Sequence, residues 1–180
     1  DAMLAHDDVR AQRYYDDVRR AMTEAHASLR GILTHFRTPM DPQGLVHALG
    51  VSAENFRRST GTELDFVNEL PGLKLSAEQE TQVFHIVQEA LTNVVRHAHA
   101  QHAQLRIAAA RPGEVEIVVE DDGAGLPPTV GGSTHYGMDI MVERARRLGV
   151  ALEVGARQGG GTRVRLTFAV HELDAAVVAA

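Results

Sequence analysis

The stretch QEALTNVVRHAHA, Gln88 to Ala100, decides how this chain is read. On a helix, side chains three, four or seven positions apart share a face. Val87, Leu91, Val94 and Val95 then form an apolar flank suited to packing on a sheet. Glu89, Asn93, Arg96 and His97 line the other flank. A neutral amide oxygen is a fitting ligand for Mg²⁺, which prefers oxygen and keeps several of its waters. A carboxylate one turn away can accept a proton or hold a metal-bound water. Arginine or histidine at the next turn can meet phosphate charge. Taken alone, though, the stretch is better explained as a solvated helix face of mixed charge.

Working outward, Ser76 with Gln79 three residues later resembles a capping box, so the spacing predicts a helix from there to about Ala98. Before it, TELDFVNEL alternates Leu64 and Phe66 with polar neighbours, as a half-buried strand does. After it, AQLRIAAARPGEVEIVVED reads as two strands joined by a short turn at Arg111-Pro112-Gly113, with Val115, Ile117 and Val119 on one face. MDIMVERARRLG is a short helix with Gly149 as its C-cap, and ALEVGAR and TRVRLTFAV are two more alternating strands. Residues 62 to 170 therefore run β-α-β-β-α-β-β. Adjacent hairpins imply antiparallel pairing with helices over one face, an α+β two-layer sandwich.

The front of the chain is different. Val18, Met22, Ala25, Leu29, Ile32, Leu33 and Phe36 recur at helical spacing from about Ala11 to Thr38, and Pro39 ends that helix. Its apolar stripe needs a partner, so it reads as one arm of a helical bundle. Asp41-Pro42 reads as an N-cap and first helical position, opening a second helix to about Arg58. The tail from His171 has no strong pattern.

Composition bounds the function. The chain has 180 residues, 44% of them hydrophobic and 23% charged, as expected of a soluble globular protein with one ordinary domain and one accessory element. With no cysteine there are no disulfides or thiolate metal sites. A net charge of -6 argues against nucleic acid as the main partner. No apolar run is long enough to span a bilayer, and no signal peptide opens the chain. The opening DAMLAHDD reads as the interior of a longer protein, whose parent can still span a membrane.

Three glycine turns follow the helix. EDDGAG comes after a strand and holds Asp121-x-Gly123-x-Gly125. Glycine there permits a sharp turn and close approach to a flat ligand, and a buried carboxylate can accept from an exocyclic amine such as that of adenine. HYGMDIM places Gly137 just before a helix N-terminus, where free N–H groups bind phosphate. GGGTRVRL puts three glycines before Thr162. Each alone is an ordinary turn; in this order, after that helix, they reinforce one another.

Together QEALTNVVRHA, DDGAG, HYGM and GGGT resemble the N box and glycine boxes of the Bergerat-fold ATPases. The E-A-L-x-N-x-x-R-H form, LRGILTHFRTPMDPQGLVHAL and HYGMDIMVERARRLG are similar to sensor histidine kinases of the nitrate/nitrite-sensor type, and the likeness covers about residues 12 to 169. It implies ATP and Mg²⁺ as cofactors. Asn93 would ligate Mg²⁺ and Glu89 would act beside it as the second catalytic residue. Arg96 and His97 would meet the nucleotide phosphates. Asp121 would bind the adenine amine, with Gly123 and Gly125 shaping the pocket. Tyr136, Gly137 and Met138 would lie at the phosphate end, and Gly161 with Thr162 would complete the adenine pocket. Two departures stand out: His135 occupies a position where many such kinases have glycine, and the lid segment from Leu126 to Tyr136 is short.

The implied layout is a partial dimerisation helix with its linker over 1–50, a catalytic ATP-binding domain over 51–170 and a tail over 171–180. The implied reaction moves the γ-phosphoryl of Mg-ATP to a histidine and onward to a response regulator with a helix-turn-helix output domain. The full-length protein would be a homodimer, with this part on the cytoplasmic side of an inner-membrane sensor and no direct contact with nucleic acid. His6 sits too close to the long helix to be the acceptor, so the phosphoacceptor helix would be supplied separately. His26, His35 and His47 read as bundle-surface residues, and His99 with His102 lack further ligands for a metal. Alternatives are an anti-sigma-type serine kinase of the same fold, which has no need of the long leading helix, a nucleotide-sensing module without transfer activity, and a plain α+β interaction domain that binds no ATP.

Overall fold

The computed structural model describes residues 14–15, 41–126 and 136–170. The chain divides into two compact units, Asp1–Pro39 and Met40–Ala180. Tyr14 and Tyr15 are helical; the rest of the leading helix expected over 11–38, His6, His26, His35, the lid segment 127–135 and the tail lie outside the described residues.

The second unit opens with helix α1, Leu45–Ser59. It starts later than its sequence predicts. Asp41 spends its side chain on a turn, with Oδ1 accepting from Gln43 N at 2.8 Å, and Gly44 is the N-cap. Gly44 has no side chain to satisfy the first free N–H groups. Glu80, from the next helix, accepts from Leu45 N at 3.2 Å instead. Leu45, Leu49, Ala53 and Phe56 are buried in the core of this unit. His47 thus stands exposed on a core helix, paired with Asp41, and not on the leading bundle helix.

Strand β1, Glu63–Asn68, is followed by helix α2, Ala77–Asn93. The capping box is complete: Ser76 Oγ accepts from Gln79 N, and Gln79 Oε1 accepts from Ser76 N. Strands β2, His102–Arg111, and β3, Glu114–Asp121, form the expected hairpin. Helix α3, Tyr136–Leu148, is closed by Gly149 N donating to Arg146 O and Val150 N to Ala145 O. Strands β4, Ala151–Ala156, and β5, Thr162–Ala169, complete the unit.

The sheet order is β1-β2-β3-β5-β4. Three of its pairings are antiparallel, as expected. β1 pairs with β2 in parallel, so the sheet is mixed. A helix lies between those two strands, and such a crossover returns the chain in the same direction. The core joins Val83, Ile86 and Val87 of α2 and Met141 of α3 to Leu105, Ile107, Ile117 and Leu166 of the strands. Burying one such side chain contributes roughly 1.5–3 kcal/mol. The side chains between these point to the other face and form charge ladders. Glu116 accepts from both Arg106 and Arg165, and Glu120 pairs with Arg157 and Arg163.

Candidate functional site

The site is built where α2 ends. From Val94 to Ala98 the helix widens into one π-helical turn, which His99 leaves in the left-handed region at φ 51°. A π-turn carries one more residue than an α-turn. Val94 and Ala98 stay buried, while Val95, Arg96 and His97 are exposed. Val95, expected on the packing flank, is 50% exposed, at the edge of the buried stripe that Val87, Leu91, Val94 and Ala98 continue. Glu89 and Asn93 are half-buried, one turn apart, ahead of the π-turn.

The π-turn delivers the Ala98 carbonyl to the loop after β3. Ala124 N donates to Ala98 O at 2.7 Å. A Cβ on Gly123 would fall well inside van der Waals contact of that same carbonyl. Asp121, 5% exposed, ends β3. Its Oδ1 accepts from Gly123 N at 2.9 Å and from Thr162 N, the start of β5, at 3.3 Å. Gly161 presses on the Asp121 carbonyl so closely that a Cβ there would overlap it, and its φ of 90° suits glycine. Gly125 is in ordinary contact range of Gly161. Asp121, Gly123, Gly125, Gly161 and Thr162 therefore converge, with Ala98 as an unforeseen member.

A second meeting point lies two to three turns back along α2. Gly137 is inside the first turn of α3 rather than just before it. A Cβ on Gly137 would overlap the Glu89 carboxylate, so the α3 backbone rests on Glu89. Met138 beside it is half-buried against the core, and Tyr136 begins the helix. Arg96 and His97 lie between the two meeting points, turned to solvent.

Asp122 holds the rim, a role the sequence reading missed. Its Oδ1 accepts from Gln101 N at 2.8 Å and His102 N at 2.9 Å, and its Oδ2 pairs with His102 Nδ1 at 2.9 Å. The His102 N–H bond, with the imidazole next, holds the Asp122 carboxyl down at about 2. The bond to Asp122 raises the His102 pKa. His102 also approaches Glu63 at 3.4 Å.

Residues 78–172 match the model of the histidine kinase-, DNA gyrase B- and HSP90-like ATPase family. The chain belongs to this ATPase family. The match starts at the first turn of α2 and ends just past β5, so it covers both meeting points. Among the chain's relatives, the sensor protein NarQ homolog of Haemophilus influenzae is 34% identical over 149 residues, 83% of this chain and 26% of that protein. The nitrate/nitrite sensor protein NarQ of Escherichia coli is 32% identical over 165 residues, 92% of this chain and 29% of that protein. The chain thus spans under a third of the length of these two curated relatives. Among solved structures, the histidine kinase domain of the blue-light activated histidine kinase of Erythrobacter litoralis superposes with a TM-score of 0.59 at 27% identity, covering 69% of this chain and 64% of that one. The two-layer fold read from the sequence is the fold of this ATPase family. No described helix is long and apolar enough to cross a membrane.

Proposed function

We propose that this chain is the catalytic ATP-binding part of a two-component sensor histidine kinase, passing the γ-phosphoryl of Mg-ATP to a histidine on a separately supplied acceptor helix. One observation carries the reading. Both backbone N–H groups that Asp121 holds fall on Oδ1. That leaves Oδ2 of a buried carboxylate to accept from the exocyclic amine of adenine. Around it, Gly123 and Gly161 stand where a side chain would collide with the Ala98 and Asp121 backbone, which lets the three segments close on one another. From Ala98 to Glu89 the helix covers roughly 13 Å at 1.5 Å per residue. A nucleotide with its base at Asp121 and its phosphates extended along α2 reaches the Glu89 end over such a span.

The donors along that path suit the cofactor. Asn93 offers a neutral amide oxygen and Glu89 a carboxylate, the hard oxygen ligands that Mg²⁺ prefers. Asn93 would hold Mg²⁺, and Arg96 and His97 would turn inward onto phosphate charge. Tyr136, Gly137 and Met138 would bound the phosphate end. Bound Mg-ATP supplies the group to be transferred; the protein contributes position and charge neutralisation. Glu89 would orient the attacking histidine or accept its proton.

The layout that goes with this proposal is a bundle helix and linker over 1–50, the catalytic domain over 51–170 and the tail over 171–180; α1, Leu45–Ser59, crosses the first of those boundaries and packs in the core of the second unit, which starts at Met40. The proposal includes the assembly in which such a part would work: a homodimer, a response regulator with a helix-turn-helix output domain, and a cytoplasmic position in an inner-membrane sensor. The test is calorimetry with a non-hydrolysable ATP analogue, with and without Mg²⁺. Wild type should bind more tightly with Mg²⁺. Asn93→Ala should keep binding, lose the Mg²⁺ dependence and lose transfer to a supplied acceptor domain. Binding without transfer in wild type would leave a nucleotide-sensing module, and no binding an interaction domain.

A further inference from the structure

Arg144 is a charged side chain that the proposed function does not use, and its environment is unusual. It lies on α3 seven residues after Gly137, while Gln82 lies on α2 seven residues before Glu89. Gly137 rests on Glu89 at one end. At the other end Arg144 Nη1 donates to Gln82 Oε1 at 2.6 Å. The two helices therefore run antiparallel, with Met141, 1% exposed, packed between those contacts.

In an α-helix a long side chain leans toward the N-terminal end of its own helix. By that tendency Glu89 on α2 would lean toward Gln82, and Arg144 on α3 toward Gly137. On antiparallel neighbours these directions converge. Yet Arg144 Nε, shielded from solvent, has no hydrogen-bond partner among the described residues. A buried donor left unmade costs roughly 1–3 kcal/mol, more on a charged group. Burial lowers the Arg144 pKa and Arg147 pushes the same way, whereas the Glu89 charge works against both. Glu143, the adjacent carboxylate, is already engaged by Arg146 and Arg147.

We propose that Arg144 is a positioning residue for Glu89: anchored to Gln82 through Nη1, it offers its free Nε–H to the Glu89 carboxylate and fixes that carboxylate at the reacting end of the site. What Glu89 does there rests on the kinase reading; the link between Arg144 and Glu89 does not. The N-box glutamate is thereby tied to α3, the element whose first turn bounds the phosphate end. Closure of α3 on a nucleotide and orientation of Glu89 then become one event.

The link is read directly from the side-chain carboxylate ¹³C resonance of Glu89 at pH 7, in the complete 180-residue chain carrying labelled glutamate. Arg144→Met should move the Glu89 signal, with Glu80 as the unmoved reference on the same helix. Arg144→Lys, which keeps charge and most of the packing, should move it much less, and Gln82→Leu should move it in the direction of Arg144→Met. For transfer to a supplied acceptor domain, Arg144→Met should lower turnover about tenfold while the KM for ATP stays within about twofold, the signature of lost orientation rather than lost binding. In a Glu89→Gln background the same substitution should add nothing. An unmoved Glu89 resonance in Arg144→Met overturns the proposal, and so does an equal loss of turnover in both backgrounds. Absence of transfer in wild type overturns the kinase reading alone, because the resonance still decides the link.

Discussion

Asp121 shows how much one side chain can organise. Its Oδ1 ties the loop after β3 to the start of β5, and the Gly161 backbone closes over its carbonyl. The three glycines of the Gly159–Gly161 turn all have positive φ, but only Gly161 is also crowded. Gly159→Ala should therefore cost about 1 kcal/mol for backbone strain alone. Gly161→Ala adds a clash with fixed backbone and should cost about 2–4 kcal/mol in all. Urea unfolding midpoints of the two variants check this, and equal losses would mean that the turn has room to move. The neighbouring Asp122–His102 pair gives a pH signature. Asp122 is depressed, so its contribution is full above its unfolded value near 4 and is lost as pH falls through about 2. His102 is raised, so its contribution is full below its unfolded value near 6.5 and is lost as pH rises through the folded one. The rim pin is strongest between about pH 4 and 6.5. Melting temperatures of wild type and His102→Gln across pH 2 to 9 should differ most inside that window and converge outside it.

At the scale of elements, what repeats locally was readable and what depends on distant residues was not. The Ser76–Gln79 box is wholly local, and it forms as its spacing predicts. Ser76→Ala should cost about 1 kcal/mol, seen as a lower thermal midpoint by circular dichroism. A loss near zero would mean that α2 is held by packing alone. The strands followed their period of two, and Asp121-x-Gly123-x-Gly125 announced a tight turn beside a carboxylate. The start of α1 misled because its first N–H is satisfied by Glu80, 35 residues later, and no local pattern shows that. Val95 misled because it sits at the edge of the apolar stripe, where helical period alone does not say how far the sheet reaches. The parallel β1–β2 pair was missed because hairpin logic says nothing about strands joined through a helix. Asp122 was passed over as the second letter of a turn, although its acceptors reach across to residues 101 and 102.

For the whole molecule, the candidate site is assembled from four separate pieces: the end of α2, the loop after β3, the first turn of α3 and the start of β5. A nucleotide spanning Asp121 and Glu89 binds only when all four are in place, so its binding free energy opposes unfolding of the entire unit. At a ligand concentration one hundred times Kd that stabilisation is about 2.7 kcal/mol. Mg-ATP should therefore raise the thermal midpoint of wild type in a dose-dependent way. Asp121→Asn separates the proposed adenine contact from the fold. An asparagine can keep its carbonyl oxygen toward Gly123 N and Thr162 N, the two bonds that hold the loop to β5. The other position then carries an NH₂ group, a donor facing the donor amine of adenine. The variant should melt within a few degrees of wild type without ligand and gain almost nothing from Mg-ATP. If it gains as much as wild type, adenine does not sit on Asp121. If it melts far lower without ligand, the second oxygen carries a structural load that the hydrogen bonds of Asp121 do not reveal.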